Sequence, residues 1–232
     1  MSPGAYGRYF RVAAFFAFAY AALTFAAAAF SFARVGGDLY DPTYGTAGRL
    51  LRVYGDDGLL WAARLSAGAG VLLVAALPAV AFRLAWRTPG LAWGGLAVGA
   101  LAFLTRWFAS LADLAAYGWA RPGEAPPLFL AIPQQDVALL ANAASSALAA
   151  PGLLASFLWM AVWGAAFLKG EGWASRLAGG AFVATVILSL MTWGAAARAH
   201  LPILIYVGSW LAAAAEATAW GGVGATLYRA DA

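Results

Sequence analysis

Six long apolar segments limit how this chain can fold. Each is longer than the about 20 residues that a helix needs to cross a bilayer, and none alternates like a β-barrel strand. Charged residues make up 10% of the 232 residues and hydrophobic ones 64%, whereas a soluble domain has roughly 25% charged residues. The sequence predicts an all-α, polytopic membrane bundle of six transmembrane helices in one domain, residues 1–232, with spans near Val12–Ala33, Leu59–Phe82, Gly90–Tyr117, Gln134–Leu168, Ala174–Ala197 and Ile203–Tyr228.

The connections between the spans differ in length and charge. Those after the first and third spans are long, Val35–Gly58 and Gly118–Pro133. In the first outer loop, Thr46–Tyr54 (TAGRLLRVY) predicts a short interfacial helix, with arginines towards head groups and leucines towards lipid. More basic residues lie on the side of the termini, so both termini are predicted to be cytoplasmic. The basic residues on the side of the termini are Arg8, Arg11, Arg83, Arg87, Lys169, Arg176 and Arg229. Those on the other side are Arg34, Arg49, Arg52, Arg121 and Arg198.

Scarce residue types exclude several kinds of cofactor site. The chain has no cysteine, one histidine (His200) and one lysine (Lys169). A Cys/His zinc site, a cysteine-held iron–sulfur cluster and bis-His haem ligation are therefore excluded, and Lys169 lies in a loop where retinal would not bind. The net charge of +4 comes from loop arginines that face anionic lipid. We expect no cofactor, no metal and no nucleic-acid partner, and the lipid bilayer as the surrounding partner.

The candidate substrate-binding residues are polar side chains inside the predicted spans: Arg64, Arg106, Asp113, Asn142 and Glu216. A charge near the bilayer centre costs several kcal/mol, so such residues turn towards the bundle and find partners. Arg106 and Asp113 are seven residues apart, within about 20° of one helix face. Residue counts place Arg106 and Glu216 at a similar depth near the midplane, with Arg64 and Asp113 nearer the outer surface. We therefore expect two pairs, Arg106 with Glu216 and Arg64 with Asp113.

Three classes of function fit these residues. In the first, they line an outward-facing cavity that binds or transports a small molecule or ion, with Arg106 as the anchor for an anionic group and Glu216 as its counter-charge. In the second, the protein is a structural or accessory subunit among partner membrane subunits, and buried ion pairs only fix helix register. In the third, it is a membrane-embedded, lipid-modifying enzyme with Glu216 or Asp113 as acid–base. The chain has no GxSxG or HExxH motif to favour this third class.

Glycine and tryptophan patterns predict how the helices pack. Small residues four positions apart let helices approach closely, as in Gly90-xxx-Gly94 and Gly95-xxx-Gly99. Tryptophans far from the span ends serve either in packing or in the wall of a ligand pocket. These deeper residues are Trp107, Trp159, Trp163, Trp193, Trp210 and Trp220.

Several short motifs together resemble an uncharacterised family of bacterial six-span membrane proteins, a domain of unknown function. They are the TAGRLLR segment before the second span, Trp163-Gly164 followed by Lys169, Arg176-Leu-Ala-Gly179 at the start of the fifth span, and Glu216 followed by Trp220. The resemblance implies a six-span architecture and a location in the bacterial inner membrane. Since that family has no established activity, it implies no reaction or cargo.

Overall fold

Helices account for nearly all of the chain that the structure describes. The computed structural model describes residues 3–35, 55–119, 133–199 and 202–229. A backbone in lipid must satisfy its polar N–H and C=O groups internally, which favours helices. Each predicted span lies within one helix, so the all-α fold class is confirmed for these residues. The long helices are α1 (Pro3–Val35), α2 (Asp57–Ala85), α3 (Pro89–Trp119), α4 (Gln134–Leu168), α5 (Trp173–Ala199) and α6 (Pro202–Tyr228).

Five of these helices contain a segment long and apolar enough to cross a membrane, so the chain is a multi-pass membrane protein. The segments are Gly7–Ser31, Asp57–Ala85, Pro89–Gly118, Pro151–Leu168 and Trp173–Thr192. The 27-residue α6, which carries Glu216, is not among them, and its crossing stays a prediction. The predicted interfacial helix, Thr46–Tyr54, lies outside the described residues.

The six helices form a closed ring in chain order. Each helix packs against the next, and α6 packs against α1. Residues 86–88 join α2 to α3, and residues 169–172 join α4 to α5, so each pair is a hairpin. Pro89 opens α3, a position where its missing N–H costs nothing, and Gly172 has a φ of 88° that suits glycine. An exposed ion pair of 3.1 Å between Arg87 and Glu171 joins the two turns, which therefore lie at the same end of the ring.

This end, which we call the packed end, holds the core of the molecule. An aromatic cluster lies between the packed end and the centre of the bundle, and we call it the aromatic floor. Its members are Tyr20, Trp159, Trp163, Phe182 and Trp220. Its ring centroids lie 5.2–6.0 Å apart along consecutive contacts, the usual spacing of aromatic pairs. Close packing here depends on small residues, as the sequence predicts: a Cβ on Gly95 would lie 2.1 Å from Trp163 Nε1. Gly90 and Gly94 have no such neighbour within 4 Å.

Candidate functional site

A cavity of about 470 Å³ occupies the other half of the ring, which we call the cavity end. Its lining extends from that end to the middle of the bundle, and it comes from residues 20–31 of α1, 59–77 of α2, 99–117 of α3, 142–159 of α4 and 213–216 of α6. Its size is within the range of small-molecule sites. The polar side chains of the lining are Tyr20, Thr24, Ser31, Ser66, Arg106, Ser110, Asp113, Tyr117, Asn142, Ser156 and Glu216.

An ion pair between α3 and α6 lies at the deep end of this cavity. Arg106 Nη1 donates a hydrogen bond to Glu216 Oε1 at 3.3 Å. Both residues lie near the middle of their helices, as the depth argument from the sequence expects. The predicted pairing of Arg106 with Glu216 is confirmed.

Tyr20 from α1 completes the contact as a third member. Its hydroxyl donates to the same atom, Glu216 Oε1, at 2.7 Å, and the Thr24 side chain hydrogen-bonds to Tyr20 one turn away. One carboxylate oxygen therefore accepts hydrogen bonds from two helices. Tyr20 is not among the predicted site residues, because its side chain is neither charged nor an amide and the first span is predicted from its hydropathy alone. A search for any polar group near the middle of an apolar span would have found it.

The two members of the ion pair differ in their access to the cavity. The Glu216 side chain is 8% exposed, whereas that of Arg106 is 39% exposed. Arginine carries several N–H donors in a planar fork, and the bond to Glu216 is the one hydrogen bond that Arg106 makes through its side chain to the described residues. Its other donors therefore remain free to bind water or a ligand.

The close approach of α4 to α3 helps to place Arg106. A Cβ on Gly152 would lie 2.6 Å from Thr105 Oγ1 and 3.2 Å from Arg106 Cγ. Thr105 cannot easily move away, because its hydroxyl bonds to the Leu101 carbonyl at 2.8 Å. Any larger residue at this position would displace the side chains of Thr105 and Arg106, so the Pro151-Gly152 step brings α4 against the stem of Arg106.

Asp113 lies about two turns along α3 from Arg106 and lines the same cavity. The Ser145 hydroxyl of α4 hydrogen-bonds to its carboxylate. Asn142, one turn before Ser145 on α4, also lines the cavity. Arg106, Asp113, Asn142 and Glu216 are therefore brought to one site.

Arg64 is not part of this site, and its predicted pairing with Asp113 is wrong for the described residues. Its guanidinium lies 5.0 Å from the ring centroid of Trp61, on the same helix, and Arg64 does not line the cavity. Residues three apart on a helix are neighbours, and a cation over an indole face is attracted by the ring. Because Arg64 is near the start of α2, its long side chain can also reach water without a buried counter-ion.

A smaller cavity of about 250 Å³ meets the first at the ion pair. It lies between α4, α5 and α6, and four residues line both cavities: Arg106, Ser156, Ala213 and Glu216. Several of its hydroxyl groups are satisfied by their own helix; Thr185, for example, donates to the Ala181 carbonyl at 2.8 Å. The ion pair is therefore the main polar feature that separates the two cavities.

Aromatic and aliphatic side chains form the walls beside Arg106. Trp159 belongs to both the lining and the aromatic floor. Trp107 lines the cavity, donates to the Ala67 carbonyl of α2 at 3.2 Å and stacks on Phe103 at 6.1 Å. Trp163 and Trp220 therefore pack as expected, and Trp107 and Trp159 also face the cavity; that this cavity is a ligand pocket stays a prediction.

Comparison with known proteins finds no family model, no curated protein and no solved structure that matches this chain. What this site can bind is therefore inferred from the chemistry of its residues. A partly free guanidinium can bind a planar anion through paired hydrogen bonds. A carboxylate buried beside it can hold a charge or a proton. The assignment of these residues to substrate binding stays a prediction.

Proposed function

We propose that this membrane protein binds, or carries across the membrane, a small polar molecule or ion in the cavity at Arg106. The observation that supports this most is the 39% exposure of the Arg106 side chain inside a cavity of about 470 Å³. An arginine that served only to join two helices would be expected to have its donors satisfied by protein. A half-satisfied guanidinium at mid-membrane depth is typical of a ligand site.

The experiment compares what co-purifies with three forms of the protein. Wild type, Arg106→Gln and Arg64→Gln are purified from native membranes in a mild detergent, and released small molecules are identified by mass spectrometry. Arg64 is the matched control, because it is an arginine in the same half of the bundle that lies outside the cavity. We expect a shared compound in wild type and Arg64→Gln, reduced at least tenfold in Arg106→Gln.

A second variant separates loss of binding from loss of folding. Ser110→Trp fills the cavity without removing a member of the ion pair, because Ser110 lines the cavity and bonds to the Arg106 carbonyl of its own helix. Ser110→Trp is expected to keep the thermal stability of wild type and to lose the compound. The proposal fails if no compound is found, or if its amount is the same in all four proteins.

The structural alternative, an accessory subunit of a larger complex, draws support from the direct contact within the pair. Tyr20, Arg106 and Glu216 join α1, α3 and α6, which would fix helix register even without a ligand. Under this alternative, neutral variants of Arg106 and Glu216 lower stability, and a stable partner protein co-purifies in place of a small molecule.

The enzyme alternative has weaker support. A membrane enzyme acting on lipid needs carboxylates that converge with a nucleophile at head-group depth. Asp113 meets a serine, Ser145, but Glu216 is held by Tyr20 and Arg106 instead. The two carboxyl groups thus have different partners.

The location follows from the charge pattern and the resemblance noted above. We propose a bacterial inner membrane, a sixth span formed by α6, and cytoplasmic termini. The packed end carries the basic turns with Arg87 and Lys169, so the positive-inside rule turns the cavity end outward.

A further inference from the structure

The charges that line the cavity do not balance, and this limits what can bind there. The lining contains one guanidinium, Arg106, and two carboxyl groups, Asp113 and Glu216. An anion that bound at Arg106 with no other change would add a third negative group to this cavity, at the depth of Arg106 in the membrane. Uncompensated charge at that depth is costly, so binding of an anion requires a compensating positive charge.

We propose that the cavity takes an organic monocarboxylate with an apolar body, and that Glu216 takes up one proton as the ligand replaces it on Arg106. This inference rests on the proposed binding function. The ligand carboxylate accepts hydrogen bonds from the Arg106 guanidinium, and Glu216 releases that guanidinium. A proton from water then binds the Glu216 carboxylate. One negative charge and one positive charge enter together, so the charge of the cavity is unchanged.

The surroundings of Glu216 make it the residue that accepts the proton. Its carboxylate faces Arg106 from α3 and Tyr20 from α1. The linings contributed by α2, α4 and α5 carry no charged side chain in the described residues, and Asp113 and Tyr117 are the other titratable groups of the main cavity. Once Arg106 turns to the ligand, Glu216 keeps a neutral donor, the Tyr20 hydroxyl, which suits a protonated carboxyl as well as an ionised one.

The walls beside Arg106 favour a carboxylate over an inorganic anion. Leu73, Leu77 and Phe103 line the cavity together with Trp107 and Trp159, so the deep part has apolar surface on several sides. A planar carboxylate matches the fork of a single guanidinium. A doubly charged phosphate would leave one negative charge unpaired near Asp113 and Glu216.

Calorimetry with benzoate tests the coupling directly. Sodium benzoate is titrated into the full-length protein in detergent, in two buffers of different ionisation enthalpy, at several pH values. Wild type is expected to take up about one proton per benzoate, with an apparent affinity that falls about tenfold per pH unit. Benzamide, which has the same shape and no charge, is the control and is expected to bind without proton uptake.

Two neutral variants assign the proton to one carboxyl. Glu216→Gln keeps an oxygen that accepts from Tyr20, and it is expected to bind benzoate without proton uptake and without pH dependence. Asp113→Asn removes the other carboxyl of the cavity; whatever its affinity, each benzoate that it binds is still expected to bring about one proton. If Glu216→Gln does not fold, the number of protons taken up by wild type and by Asp113→Asn still shows which carboxyl takes up the proton.

The outcomes separate this inference from the proposed function. Benzoate binding without proton uptake, or uptake that persists in Glu216→Gln, overturns the coupling and leaves the binding function intact. A co-purifying compound in a protein that does not bind benzoate overturns the carboxylate assignment alone. Absence of both a co-purifying compound and benzoate binding overturns the proposed function as well.

Discussion

At the scale of single residues, one oxygen atom of Glu216 joins three helices. It accepts a hydrogen bond from Tyr20 at 2.7 Å and one from Arg106 at 3.3 Å. The shorter bond comes from a neutral group that is 5% exposed, and the longer one from a cation that also faces the cavity. Tyr20 therefore holds the carboxylate in place whether or not Arg106 is engaged elsewhere.

Removing only the hydroxyl of Tyr20 tests this role. Tyr20→Phe keeps the ring contact with Trp220 and leaves the buried carboxylate without its neutral donor. We expect the free energy of unfolding to fall by about 1.5–3 kcal/mol, the range for hydrogen bonds to charged groups. Tyr9→Phe, on the exposed face of the same helix, is the control and is expected to leave it unchanged. Equal effects of the two changes in mixed-micelle denaturation would contradict the role of Tyr20.

The sequence predicted part of this site for a definite reason. Arg106 and Glu216 lie near the middle of apolar helices, where lipid offers no polar partner, so opposite charges at equal depth are expected to meet. Arg64 is close enough to a helix end to bind an aromatic face instead, which the depth argument did not consider. The contact of Ser145 with Asp113 depends on how α3 and α4 rotate against each other, and the sequence pattern alone does not fix that rotation.

At the scale of helices, glycine determines which faces touch. Hydropathy predicted a span within each long helix, because lipid leaves helical backbone as the favoured solution for long apolar segments, although α1 begins at Pro3, nine residues before the predicted span. Hydropathy did not predict which helix faces are in contact, since small-xxx-small patterns occur on several sides of these alanine-rich helices. Gly222 shows the difference: a Cβ there would lie 2.8 Å from the Ala178 backbone nitrogen of α5, while Gly221 beside it has no such neighbour within 4 Å.

Alanine at these adjacent glycines gives a matched pair of variants. Gly222→Ala forces backbone atoms of α5 and α6 apart, and we expect it to destabilise the protein by about 1–3 kcal/mol, as overpacking does. Gly221→Ala is expected to be neutral or slightly stabilising, because alanine is the better helix former. Thermal unfolding in detergent measures both. A larger loss in Gly221→Ala than in Gly222→Ala would contradict the packing of α6 against α5.

At the scale of the whole molecule, the ring has a packed half and a hollow half. Trp163, Phe182 and Val223 are fully buried in the first, and the cavity of about 470 Å³ occupies the second. This division could not be predicted from composition, because alanine-rich and glycine-rich segments occur at both ends. It arises where large aromatic side chains fill the ring at one end and small or polar ones leave it open at the other.

Labelling of single cysteines tests this division and the orientation together. The chain has no cysteine, so Ser110→Cys places one thiol in the cavity and Ala166→Cys places one in the packed half, where Ala166 is 3% exposed. A membrane-impermeant maleimide added from outside is expected to label Ser110→Cys at least tenfold faster than Ala166→Cys. Labelling of Ser110→Cys only from the cytoplasmic side would reverse the proposed orientation, and equal rates would contradict the hollow half.

The contact between Arg106 and Glu216 underlies the whole account, and a double-mutant cycle measures it most directly. Arg106→Gln, Glu216→Gln and the double variant are compared with wild type in mixed-micelle denaturation, with Arg87 and Glu171 as the exposed control pair. We predict a coupling free energy of about 1–3 kcal/mol for the cavity pair and about 0–1 kcal/mol for the exposed pair. Additive effects of Arg106→Gln and Glu216→Gln would show that the two side chains do not interact and would contradict the account.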